Sequence, residues 1–187
     1  GAALEVGAGI EDAAAAAADS VEAAAAWAVD AVDNFTYELV GFRVMSAARW
    51  AQAAAKPENA VYVNAMQATE ARYGVPAGLG VRLMWQESRF NPQAFNAKSN
   101  ASGIMQIVPR WHPDVDPWNP LAAIDYGTRY LASLYRQFGS WELALKAYNW
   151  GPGNVAKWLR GEAAEPLETQ NYSRQILADV RATGVMA

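Results

Sequence analysis

The sequence predicts an all-α domain with at most minor β pieces between residues 91 and 119, preceded by a long Ala-rich helix. Three observations carry this. Apolar residues recur at three- and four-residue intervals through most of the chain, the period of one helix face. The segments with this period are divided by Gly and Pro, which close and open helices. No convincing stretch alternates apolar and polar residues as a half-buried strand would.

Residues 1–56 are dominated by Ala, the best helix former, which predicts a helix from about Glu11 to Ala55 that Gly41 interrupts. Val21, Ala25, Ala28, Val32, Phe35, Leu39 and Phe42 form a heptad-like seam along it. The seam reads either as self-association through residues 18–46 or as a helix packing on its own domain. Lys56-Pro57-Glu58-Asn59 marks the expected boundary between segment 1–56 and domain 57–187. Tyr62, Met66, Thr69 and Tyr73 share the face of a helix that ends at Gly74, and Pro76 opens the next. That helix carries Glu87 and is expected to stop at Asn91-Pro92, because the residue before a proline is pushed out of αR geometry. Asn119 caps and Pro120 opens a helix with the stripe Leu121, Ile124, Thr128, Leu131, Tyr135 and Phe138, ending at Gly139. Ser140 is expected to cap the helix holding Leu143 to Trp150, which Gly151-Pro152-Gly153 stops. A short helix follows around Val155 to Leu159, and the last begins near Leu167 and runs past Ile176 and Val180.

With 52% hydrophobic residues in 187, the chain can bury a substantial core. It has no cysteine, which excludes disulfides and thiolate chemistry. His112, the single histidine, sits in a Pro-rich loop with no second histidine to share a metal, so neither metal nor cofactor is expected. Residues 1–38 hold eight acids and no base; the other 11 acids and all 15 bases leave the remainder near +4. That mild excess suits an anionic polymer but is unlike the dense basic face of a nucleic-acid binder. No apolar run is long enough to span a bilayer. No signal peptide is visible, since the N-terminus lacks a basic region and acids interrupt its Ala runs.

Chemistry centres on Glu87. Leu79 and Leu83 precede it by eight and four residues, so all three fall on one side of a helix. A carboxyl on an apolar stripe is desolvated, and one near the helix C-terminus meets the negative end of the dipole; both raise its pKa, as a general acid requires. Position alone also allows a solvated surface glutamate. No other Asp or Glu occurs between Glu87 and Asp114.

Five short motifs follow in order: Glu87-Ser88, Asn91-Pro92, Gly103-Ile104-Met105-Gln106, Ala147-Tyr148-Asn149 with Gly151-Pro152-Gly153, and Glu168-Thr169-Gln170-Asn171-Tyr172. Over about residues 60–182 the chain resembles the catalytic domain of soluble lytic transglycosylases, a goose-type-lysozyme-like fold that cleaves the glycan strands of peptidoglycan. The resemblance implies that Glu87 is the single acid/base. It would protonate the oxygen between N-acetylmuramic acid and N-acetylglucosamine, then take the proton of the muramic C6 hydroxyl as that closes a 1,6-anhydro ring. Ser88 would support the reacting centre, Met105 and Gln106 would line the cleft, Tyr148 and Asn149 would form the wall facing the acid, and Tyr172 would bond its carboxyl. The resemblance also implies action at the cell wall or periplasm. Most glycosidases need two carboxylates, so a lone acid with an internal nucleophile fits the acid-free stretch after Glu87. For the tyrosines and Met105, ordinary core positions stand as the alternative.

Two departures matter. Residues Asn96 to Gly103 read Asn-Ala-Lys-Ser-Asn-Ala-Ser-Gly, with Asn100 where the family usually has Gly. Asn tolerates left-handed geometry, so the turn is expected to survive, and this version resembles phage-encoded wall-degrading proteins. Trp150 replaces the usual small residue after Ala-Tyr-Asn and is expected to narrow or floor the cleft. Two other readings stand beside the first: a muramidase using water with Asp114, Asp116 or Asp125 as helper, and a structural virion protein whose domain is a wall-binding relic.

Overall fold

Three helices end at a left-handed residue, Gly74, Arg89 and Gly139, and Asn119 alone among the described helix starts caps with its side chain. The computed structural model describes residues 49–183. The expected Ala-rich helix up to residue 48, and with it the self-association seam at 18–46, lie outside the described residues. Residues 49–54 are helical, and Trp50 is 5% exposed within the main core. The packed unit therefore reaches back past the Lys56–Asn59 break.

A 3-10 turn, Pro57–Asn59, leads into α1 (Ala60–Tyr73). Gly74 ends α1 at φ 70, a left-handed geometry that glycine adopts without steric cost. Next comes α2 (Leu79–Ser88). A two-stranded ribbon follows, β1 (Phe95–Asn96) antiparallel to β2 (Ala101–Ser102), with Phe95 opposite Ser102. Asn119 then caps α3 (Pro120–Phe138), its Oδ1 accepting from the Ala122 N–H at 3.2 Å. The chain closes with α4 (Trp141–Trp150), α5 (Pro152–Leu159) and α6 (Leu167–Ala182). No helix among the described residues is long and apolar enough to cross a membrane.

Three details differ from expectation. First, α2 ends at Ser88 rather than at Asn91, because Arg89 (φ 54) and Phe90 (φ 65) are both left-handed. Phe90 is 2% exposed, so the turn swings its ring into the core, and that burial offsets the strained backbone. Second, Pro76 lies in the turn before α2, which starts only at Leu79. Third, the α3 stripe is narrower than its spacing implied: Ile124, Thr128 and Leu131 are buried, while Leu121 and Tyr135 are exposed. Asn100, at φ 60, holds the left-handed turn expected of it.

The core brings the working helices together. α1 packs on α2 and α3, α3 on α4, and α6 on both α4 and α2. Met66, Leu83, Ile124, Leu145 and Ile176 are fully buried between them, each contributing roughly 1.5–3 kcal/mol of transfer free energy. Two buried polar links set the frame. Glu70 accepts from the N–H groups of Gly78, Gly80 and Val81 at 2.7–3.1 Å, satisfying orphan donors at the start of α2. Arg82 of α2 donates to Asp179 of α6 at 2.8 Å, with both side chains almost fully buried.

Candidate active site

Glu87 sits on the last turn of α2, at the edge of a cleft. Its side chain is partly buried, and burial pushes its pKa from the usual 4.5 up to about 7. The Tyr172 hydroxyl, arriving from α6, donates to Glu87 Oε1 and pulls the other way. Among the described residues, Glu87 is the one carboxylate lining the cleft. Near neutral pH Glu87 is thus poised between its two protonation states, as an acid that must also act as a base needs to be. Burial first, and then the charge of Glu87, push the Tyr172 hydroxyl well above its usual range, so it remains a proton donor.

Tyr148 comes from α4. Its hydroxyl donates to the Met105 carbonyl at 3.1 Å, and burial followed by the charge of Glu87 raises its pKa strongly. It ties the loop after β2 to the helix wall. Gly127 on α3 makes the crossing feasible: a Cβ there would lie 2.9 Å from Met105 Cε and 3.1 Å from the Tyr148 oxygen.

Gln106 occupies the centre of the cleft with its backbone at φ 48. Its amide hydrogens go to the carbonyls of Ala94 (3.2 Å) and Gly103 (3.0 Å), so this side chain staples the β ribbon. It lines both sections of the cleft, and its carbonyl end is what remains to meet a ligand. Ser88, also on the Glu87 side, donates to the Met84 carbonyl at 3.3 Å. Asn149 is exposed on the cleft, with its Oδ1 accepting from Thr169 of α6 at 3.0 Å, which leaves its amide N–H end to donate.

Met105 requires a correction. It is 0% exposed and does not line the cleft. It packs beneath the floor against Gly127, where a flexible thioether fills the interior, and its carbonyl accepts from Tyr148. The tryptophans on and around the cleft divide. Trp85 is core, with Arg82 and Arg89 over its ring, and Trp150 is partly buried along the cleft. Trp111 and Trp118 are exposed.

The cleft has two sections. One, of about 690 Å³, holds Glu87, Ser88 and the β ribbon; the other, of about 850 Å³, holds Tyr148, Asn149 and Trp150. Gln106 is the one lining residue they share. A separate apolar hollow of about 540 Å³ lies between residues 50–54 and α1, away from this chemistry.

The sequence reading missed Glu70 and the His112–Tyr126 pair. Glu70 was legible by the rule that found Glu87, since it follows Met66 by four and Val63 by seven on a buried face. Nothing local in sequence pairs His112 with Tyr126, 14 residues away.

Fold and geometry define a class: a mainly helical, lysozyme-like domain whose cleft is built on one protonatable carboxyl. The chain belongs to the transglycosylase SLT domain family, whose model matches residues 64–171. It is similar to the soluble lytic murein transglycosylase of Escherichia coli, 30% identical over 129 residues covering 56% of this chain and 20% of that one. It is also similar to the peptidoglycan transglycosylase gp16 of Escherichia phage T7, 33% identical over 121 residues covering 56% of this chain and 9% of the relative. Among solved structures, the 70 kDa soluble lytic transglycosylase of Escherichia coli superposes with a TM-score of 0.55 at 28% identity, covering 66% of this chain and 24% of that chain. The chain thus spans about a fifth of the length of the curated soluble murein transglycosylases it matches.

Proposed function

We propose that this chain is a peptidoglycan lytic transglycosylase, cleaving the β-1,4 bond between N-acetylmuramic acid and N-acetylglucosamine. The observation that carries the reading is the single carboxyl of Glu87, raised to about 7 by burial and contacted by Tyr172. Protonated Glu87 gives its hydrogen to the glycosidic oxygen as the C1–O bond breaks. The carboxylate so formed takes the proton of the muramic C6 hydroxyl as that oxygen bonds to C1. The glycan's own 2-acetamido carbonyl stabilises positive charge at C1, so neither water nor a second carboxylate is consumed. Tyr172 orients the carboxyl and, by its hydrogen bond, keeps the carboxylate accessible for the second step. Asp125, one helper that a water-using muramidase would require, is instead engaged by Arg72 and Tyr73 at 2.9–3.0 Å.

The relatives named for murein and peptidoglycan support this substrate and a site of action in the cell wall or periplasm. The phage relative, named for peptidoglycan transglycosylase activity, supports a phage-encoded wall-degrading role as the finer reading. Mass spectrometry of digested sacculi tests the chemistry: 1,6-anhydro ends are expected, and reducing muramic ends would overturn it. Glu87→Gln is expected to lower release of soluble muropeptides by about 10²–10⁴-fold.

A further inference from the structure

The second section of the cleft contains chemistry that the cleavage reaction does not use. Trp111 lines it yet is 67% exposed, a large indole that core packing does not account for. Arg110 lies over its ring at 4.7 Å and restrains its orientation. Next to it, His112 Nδ1 and the Tyr126 hydroxyl are 2.8 Å apart, and both side chains are partly buried along the same wall. Burial lowers the histidine's pKa and so favours the neutral imidazole. Whichever of the two atoms donates, the pair keeps one hydrogen to offer outward, on Nε2 or on the phenol. The rings are fixed in place. His112 meets Tyr130 edge-on at 4.8 Å, and Tyr130 leans on Tyr148 at 5.7 Å, so an aromatic floor runs back toward the catalytic section.

We propose that Trp111 and the His112–Tyr126 pair form a remote sugar subsite that takes an N-acetylated hexosamine ring of the strand being cleaved. This rests on the glycan-cleaving reading above. A pyranose presents an apolar C–H face and a rim of hydroxyl and acetamido groups. The subsite presents the matching set, one exposed indole face and one preorganised polar pair. Because the two sections share only Gln106, a ligand reaching Trp111 must extend across the middle of the cleft from Glu87. Contact here is therefore available to longer strands and denied to the shortest ones. The consequence is selectivity for strand length, set by residues outside the reacting centre.

The test is kcat/KM of the intact chain on peptidoglycan strands of defined and increasing length. In the parent the value is expected to rise with length. In Trp111→Ala the ratio of long-strand to short-strand kcat/KM is expected to fall by about tenfold, the scale of one lost aromatic contact. His112→Phe, which keeps the ring and removes its polar partner for Tyr126, is expected to move the ratio the same way by less. Trp111→Tyr, which restores a flat ring, is expected to recover most of it. A loss equal at every length, or no loss, would overturn the subsite while leaving the proposed reaction standing. A parent that cleaves no strand of any length would overturn both.

Discussion

Glu70 and Glu87 are both carboxyls on the buried face of a helix, and burial raises the pKa of each. Their partners separate their roles. Three backbone N–H groups satisfy Glu70 and make it a brace for α2, whereas Glu87 has one phenol and a cleft. This difference gives two testable consequences. The Tyr172 hydrogen bond lowers the pKa of Glu87, so Tyr172→Phe is expected to raise it above about 7. The proposed cleavage uses the protonated form, so the fall in rate with rising pH is expected at higher pH in the variant, which a pH–rate profile reads directly. Stability follows the same proton. The folded pKa of about 7 exceeds the usual 4.5, so the contribution of Glu87 is fully present below 4.5 and lost as pH rises through 7. Glu87→Gln, which has no charge to bury, is therefore expected to be more stable than the parent at pH 8 by on the order of 2 kcal/mol, with the gap closing toward pH 4.5. Thermal melts across that range check it.

Between elements, the decisive contact is α2 against α6. Two side-chain pairs cross it, Arg82–Asp179 in the interior and Glu87–Tyr172 at the cleft. Residue numbers rise on one helix as they fall on the other, so the helices run antiparallel and one pair sets the register of the second. Breaking a buried ion pair on one side costs about 3–5 kcal/mol, whereas replacing both partners by apolar residues costs far less. Arg82→Met is accordingly expected to lower the denaturation midpoint strongly, and Arg82→Met with Asp179→Leu to recover much of it. The same logic explains what capping made legible. Asn119-Pro120 and Gly74 place helix ends through chemistry local to those residues. The end of α2 depended on Phe90 finding a pocket, which no local signal announces.

At the scale of the whole unit, core packing continues upstream of the Pro57 break. Trp50 is 5% exposed and belongs to the core cluster with Val63, Met66 and Val75. A chain beginning at residue 57 is expected to lose this packing and to be less stable than one beginning at residue 45 by about 3 kcal/mol, the cost of emptying an aromatic site. Urea denaturation of the two chains would read the difference. Loss of activity by the shorter chain at temperatures where the longer one still works is expected with it. The exposed rings that border the cleft arise at this scale too, because loop 108–119 packs against the β ribbon. Gly103 permits that contact, since a Cβ there would lie 1.8 Å from the Pro117 carbonyl oxygen.

By itself the sequence determined the helical class, most helix limits, the left-handed turn at Asn100 and the desolvated carboxyl at Glu87. Each of these follows from local chemistry: propensity, capping, periodicity, or the desolvation of a carboxyl on an apolar stripe. Tertiary structure decided which side of the surface the other residues face. It put Met105 under the floor, turned the Gln106 amide onto the β ribbon, and brought Tyr172 from 85 residues away to Glu87. Those outcomes depend on how helices distant in the chain pack against one another, and the packing energy that fixes them is shared across the core.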